Sequence, residues 1–179
     1  LCENMIDKSS IKIDFNVDYF SVQKDIPNET LIVYTGPIDQ LFDYRFGKLS
    51  WRTLDFEFVH HEIEDFQGTS VINYPEKKFP YTRIHEFKHL HPESNAKTRG
   101  TVTAKEYSRF AKESDEPYYP INTSSDREIL ENYRNAVKEK GPSLIVGGRL
   151  GSYQYLDMHM AIASALSVFE NKIRPILEN

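Results

Sequence analysis

The sequence predicts an α+β fold in which an antiparallel sheet of about five strands is inserted in a smaller, parallel α/β unit. Three observations carry this prediction. Leu31 to Tyr34 and Leu144 to Val146 are unalternating apolar runs followed by glycine, as expected of strands buried on both faces in a parallel sheet. About 110 residues separate them, so the intervening chain is an insertion. Within it the period changes: from Trp51 to His60, Leu54, Phe56 and Phe58 alternate with Thr53, Asp55 and Glu57, the pattern of a half-exposed strand.

The remaining elements follow in order. Thr69 to Tyr74, Tyr81 to His89, Thr101 to Tyr107 and Tyr118 to Asn122 are further strand segments, punctuated by Gly68, Pro75, Pro80, Pro92, Gly100 and Pro117. A helix follows. Ser125 with Glu128 forms a capping box, Ile129, Leu130, Tyr133 and Val137 give an apolar stripe, and Gly141-Pro142 ends it. A last helix starts after Asp157 and carries Ala161, Ile162, Ala165, Leu166, Phe169 and Ile173, with Pro175 as its stop.

Composition narrows the function. Hydrophobic residues make up 39% of the 179 positions and aromatics 13%, which excludes a disordered chain. Lys and Arg total 22 against 27 Asp and Glu, a net charge of −5, which argues against a nucleic-acid partner needing a broad basic face. Cys2 is the sole cysteine, so no intrachain disulfide forms, as suits a reducing compartment such as the cytoplasm. No apolar run reaches the roughly 18 residues of a membrane span, and the first 30 residues lack a signal-peptide core. The chain opens on Leu1 rather than Met, and an upstream portion is expected.

Two motifs bear on chemistry. Gly147-Gly148-Arg149 follows an apolar strand and leads through Tyr153 and Tyr155 to Asp157, placed to cap a helix. Glycines let backbone approach a phosphate-bearing ligand, and a helix N-terminus favours its charge. His85-Glu86-Phe87-Lys88-His89 matches a zinc-peptidase pattern that works only on a helix, where both imidazoles share a face. Here the context is strand. Residues four apart then lie roughly 13 Å from each other, too far for two ligands with bonds of about 2 Å. No metal site is expected, and His60, His61 and His91 read as surface or packing residues.

An ordered set of segments resembles one family, the UDP-galactopyranose mutases. It comprises Tyr34-Thr35-Gly36-Pro37-Ile38-Asp39 with Phe42 to Gly47, then Pro80 to Ile84, Lys105-Glu106-Tyr107, Pro117 to Pro120, and Gly148-Arg149-Leu150 with Tyr153, Tyr155, Asp157 and Met158. It covers nearly everything from residue 31 onward. The resemblance implies a flavoprotein isomerase that interconverts UDP-galactopyranose and UDP-galactofuranose for cell-surface polysaccharide biosynthesis, with FAD, in its reduced form, as the nucleophile. The protein would supply no covalent catalyst. It also implies a Rossmann-like FAD-binding domain, of which residues 1–47 and 123–179 are the C-terminal remnant, with the sheet domain at 48–122.

The site residues come with the resemblance. Arg83, Tyr119 and Tyr155 correspond to contacts of the substrate diphosphate, with Tyr118 as the alternative to Tyr119. Arg149 corresponds to an arginine against cofactor and substrate phosphates. Leu156, Asp157, Met158, His159, Met160 and Ala161 correspond to the helix start that meets the flavin. One departure is visible: Phe87 stands between Glu86 and Lys88, where the family usually places a histidine. The glycine-rich FAD motif and the helical domain, with its further arginine and uracil-stacking aromatic, do not occur in this chain. The chain alone is therefore expected to be inactive, and its open sheet edges to promote homo-oligomers. A freestanding sheet domain that binds a nucleotide sugar or glycan without catalysis is the other reading.

Overall fold

A computed structural model describes residue 6, residues 11–90 and residues 99–178; Cys2, His91 and Pro92 lie outside these. Two sheets organise the chain. Strands β1 (Ile32–Tyr34) and β7 (Leu144–Val146) pair in parallel, Val33 opposite Ile145. Between them in sequence, β2 (Trp51–His61), β3 (Val71–Asn73), β4 (Arg83–Glu86), β5 (Thr101–Phe110) and β6 (Tyr119–Pro120) form one antiparallel sheet in the order β3-β4-β5-β2-β6. The mixed α/β architecture and the antiparallel sheet agree with the sequence reading. The expectation of strands buried on both faces does not hold for β1: Tyr34 is buried, but Val33 is 47% exposed.

Register divides the large sheet into two faces, because residues opposite each other point the same way. One face carries Arg52, Phe56 and Phe58 of β2, Glu106 and Phe110 of β5, Arg83 and His85 of β4, and Tyr119 of β6. The other carries Asp55, Glu57, Lys105 and Arg109. Strand β4 is shorter than its alternating pattern suggested. It stops at Glu86, and a 3-10 turn, Phe87–Leu90, follows. In such a turn residues i and i+3 eclipse, which brings His89 back over Glu86, 3.4 Å between Nε2 and Oε2.

The core sits where the two sheets meet. Helix α1 is the single turn Tyr19–Val22, and α2 is another, Ile38–Leu41. Helix α3 (Ser124–Glu139) lays Leu130, Tyr133 and Ala136 against Ile38, Phe42, Leu49, Trp51 and Tyr153. Buried polar groups stitch the segment entering β2. Phe46 N–H donates to the Tyr133 hydroxyl, which donates to Gly47 O; Leu49 N–H donates to Asp39, and Ser50 N–H to Asp126. Gly47 holds φ +110°, a conformation open to glycine. The helix cap differs from expectation: Thr123 and Asp126 form the capping box, two residues before the Ser125–Glu128 pair. Asp126 prevails because it is buried and also holds Ser50, so tertiary contacts decide between two locally equivalent caps.

The C-terminus also departs from the reading. Helix α4 (Gly148–Ser152) follows β7 directly, and α5 (Met158–Val168) runs through a π-helical segment, Phe169–Ile173, into α6 (Arg174–Leu177). Pro175 does not stop the helix. It lies in the first turn of α6, where a ring without an N–H is tolerated, and the π segment resets the ladder before it. Among the described residues, no helix is long and apolar enough to cross a membrane.

Candidate functional site

Strand β7 and the turn after it place the first group. Gly148 needs its glycine for φ +72°, and a Cβ on Gly151 would lie 2.8 Å from Val146 Cγ1, so α4 packs tightly beside β7. Arg149 projects from this short helix. It donates to the carbonyls of Tyr118 (3.2 Å) and Leu156 (2.8 Å), and its guanidinium lies 4.7 Å from the Tyr155 ring centre and 5.7 Å from that of Tyr119. The two rings stack, centres 5.6 Å apart and 26° between planes. Tyr118 adjoins them, 6.4 Å from Tyr119. The structure thus unites Arg149, Tyr119 and Tyr155 on an open surface where Tyr155 is 50% exposed.

Arg52, which sequence reasoning passed over, borders this cluster. It is the register partner of Tyr119, and its guanidinium donates to the Ser108 hydroxyl and carbonyl while lying over Phe110. Among the described residues its hydrogen bonds, like those of Arg149, go to neutral acceptors. The available signal was its position: Arg52 falls on the same side of the strand as Leu54, Phe56 and Phe58, where a cation among apolar residues calls for a partner.

Arg83 does not join them. It lies on the same face as Tyr119 but three strand steps and four residues away, roughly 20 Å between Cα atoms by strand geometry. Its Nε is 3.2 Å from Glu106 Oε1, near enough for an ion pair yet off hydrogen-bond geometry.

The start of α5 lies beside Arg149 through Leu156. Asp157 occupies the N-cap position, but its side chain makes no capping bond there. It accepts a hydrogen bond from the Tyr155 hydroxyl, and this bond, with the carboxylate's charge, raises the phenol's pKa. Ala161 N–H closes the first helical bond, on Asp157 O, so the N–H groups of Met158, His159 and Met160 lack an acceptor within the helix. Met158 and Met160 are exposed around them.

The two histidines of the zinc-like motif part company. His85 Nε2 meets Glu106, whereas His89 meets Asp65 and Glu86 on the opposite face. Asp65, Glu86 and His89 bring one donor atom each within 4.8 Å. The buried Glu86 carboxylate already accepts from Phe66 N–H, Gln67 N–H and the Thr101 hydroxyl. Burial alone would raise its pKa, but these donors bring it below the usual carboxylate range. The cluster is a clasp tying residues 65–68 to the sheet. A cleft of about 560 Å³, lined by Asp39, Tyr44, Lys48, Trp51 and Phe110 among others, includes none of the candidate residues.

Comparison with known proteins agrees with the sequence resemblance. The UDP-galactopyranose mutase family profile matches residues 1–155, and the chain belongs to that family. It is 39% identical over 168 residues to a probable UDP-galactopyranose mutase of Klebsiella pneumoniae, covering 93% of this chain and 42% of that protein. It is 36% identical over 170 residues to a dTDP-fucopyranose mutase of Escherichia coli, covering 93% and 44%. A UDP-galactopyranose mutase of Mycoplasma pneumoniae is 36% identical over 150 residues, covering 80% and 36%. The chain therefore spans about two fifths of the length of these relatives.

Proposed function

We propose that this chain is the C-terminal portion of a cytoplasmic UDP-galactopyranose mutase, supplying the diphosphate-binding wall of a site completed by sequence outside it. The observation carrying this reading is Arg149, held by two carbonyls over the stacked Tyr119 and Tyr155. A guanidinium and phenols suit phosphate oxygens. They would hold the leaving UDP for recapture while the sugar ring reopens and recloses. Arg52 belongs to the same wall, and Arg83 serves a ligand long enough to cross the sheet face.

The first turn of α5 fits FAD. Its unbonded N–H groups and its lack of a side-chain cap suit an anionic ring system, which helix N-termini favour by about 0.3–1 kcal/mol. Leu156, Asp157, Met158, His159, Met160 and Ala161 would hold the cofactor, with Arg149 beside them. Bound FAD supplies, in its reduced form, the nucleophile toward the sugar's anomeric carbon. On this reading residues 1–47 and 123–179 belong to the FAD-binding domain and 48–122 to the sheet domain. The half-exposed β1 and the apolar, exposed Met158, Leu166 and Leu177 await cover and favour self-association of the isolated chain.

One relative is named for dTDP-fucopyranose. The groups assembled here address the diphosphate common to both kinds of nucleotide sugar, so the chain is expected to bind UDP and dTDP equally. Calorimetric titration with UDP, UMP and galactose tests the assignment, with Arg149→Ala as control. UDP binding that exceeds UMP binding and disappears in the variant supports it; equal affinity in both proteins overturns it. Binding of galactose in preference to UDP would favour the glycan-binding alternative.

A further inference from the structure

The loop between β2 and β3 meets the end of β4 at three side chains. Asp65 comes from the loop, Glu86 from the last position of β4 and His89 from the 3-10 turn after it, with one donor atom of each within 4.8 Å of the others. His89 Nε2 is 3.3 Å from Asp65 Oδ1 and 3.4 Å from Glu86 Oε2. A neutral imidazole has one N–H to give, so the ring can serve only one of these two oxygens as a donor. Both carboxyls stay below the usual carboxylate range, Asp65 chiefly through Gly68 N–H, and Glu86 despite the burial that would raise it. Two negative charges thus face one nitrogen. Glu86 is buried, His89 half-buried and Asp65 exposed, so the group opens to water on one side.

The spacing suits a metal ion. With bonds of about 2.0–2.1 Å, the ligands of a tetrahedral zinc stand about 3.3–3.4 Å apart, the separation that His89 Nε2 keeps from both oxygens. Asp65 Oδ1 accepts from Gly68 N–H and Glu86 Oε2 from Gln67 N–H, bonds that orient each oxygen and leave it a lone pair. In the same loop, Gln67 Oε1 is buried without a hydrogen bond. We propose that Asp65, Glu86 and His89 bind one divalent metal ion of the zinc type, completed by water, which fastens the β2–β3 loop to the sheet. Two carboxylates neutralise the ion, and the imidazole selects it over magnesium and calcium, which take oxygen ligands. The role is structural and does not follow the zinc-peptidase pattern. His85 takes no part, since its Nε2 meets Glu106 on the opposite face.

The test is calorimetric titration of the metal-stripped chain with zinc chloride, followed by thermal melts. One ion per chain is expected, with magnesium and calcium at least about a hundredfold weaker, and saturating zinc raises the thermal midpoint. His89→Ala should weaken zinc binding about a hundredfold or more, the upper end of what loss of a merely supporting group costs. Asp65→Asn, at an exposed position, should act in the same direction and serves if His89→Ala fails to fold. In both variants zinc no longer raises the midpoint, whereas His85→Gln keeps the wild-type affinity and rise. Zinc binding by the wild-type chain weaker than about 1 mM overturns the proposal. So does an affinity unchanged in His89→Ala and Asp65→Asn, or a loss in His85→Gln equal to that in His89→Ala.

Discussion

Arg52 and Arg109 stand almost side by side on opposite faces of the sheet, since Thr53 is the register partner of Arg109. Arg109 is consumed by the fold. It makes paired contacts with Asp55 and with Asp115, all at 2.5–3.0 Å, and Lys105 beside it pairs with Glu57. Arg52 meets a hydroxyl, a carbonyl and a phenyl ring. On the face of Arg109, that arginine and Lys105 close on carboxylates. The opposite face holds the Arg83–Glu106 pair and, toward its other end, Arg52, with Arg149 of α4 beside Tyr119. The hydrogen bonds described for Arg52 and Arg149 go to neutral acceptors, and a cation so held is available to an anion from outside.

The largest effect expected from this contrast is on UDP binding. Arg52→Ala or Arg149→Ala should weaken it about tenfold or more, the scale of one lost charge-assisted contact. Arg109→Ala should leave affinity within about twofold and instead lower the thermal midpoint. Fluorescence or calorimetric titration of the three variants checks this. A loss in Arg109→Ala equal to that in Arg52→Ala would dissolve the distinction between the faces.

Acid sharpens the same comparison. The Arg109 bonds hold the Asp115 carboxyl down at about 2, and Asp55 is lowered chiefly by its hydrogen bond to Arg109. A carboxylate depressed in the folded state contributes stability above its unfolded value of about 4 and loses it as the pH falls toward the folded value. Urea midpoints should therefore decline from about pH 4 to about pH 2. Arg109→Ala should flatten that decline, and Arg52→Ala should leave it unchanged. Asp55 is exposed and Asp115 half-buried, so added salt should shrink chiefly the Asp55 share of the difference.

What was legible in the sequence depended on how local the deciding force was. The period-two alternation of Leu54, Phe56 and Phe58 gave β2 because strand alternation is written residue by residue. The end of β4 was not legible, because the turn at Phe87 is favoured by His89 reaching Asp65, a loop residue 24 positions away in sequence, as well as Glu86. The resemblance named Arg149, Tyr119, Tyr155 and Arg83 together; the first three share one surface and Arg83 stands apart from them, a separation that depends on strand order and is not written in the sequence. The cap of α3 shows the same limit. Ser125 with Glu128 and Thr123 with Asp126 are equivalent on local grounds, and the bond from Ser50 N–H to Asp126 selects the second. Thr123→Ala should accordingly cost about 1 kcal/mol of unfolding free energy, the usual worth of a cap, and Ser125→Ala far less. Because Ser50 immediately precedes Trp51 at the start of β2, loosening this cap should disturb the base of both faces equally.

The smallest effect belongs to the Tyr155 hydroxyl. A phenol has a single proton to give, and this one is engaged with Asp157, whose hydrogen bond and charge raise the group's pKa. To donate to a phosphate the hydroxyl must leave a carboxylate for another anion, an exchange of nearly equal bonds. The ring contributes more: it stacks on Tyr119 and lies beneath Arg149, and a cation over an aromatic face gains about 0.5–1 kcal/mol at an exposed site. Tyr155→Phe keeps the stack and should weaken UDP binding only about twofold, whereas Tyr155→Ala also frees Arg149 and should cost about fivefold. A Tyr155→Phe loss as large as that of Arg149→Ala would mean that the hydroxyl, rather than the guanidinium it supports, is the principal donor on this face.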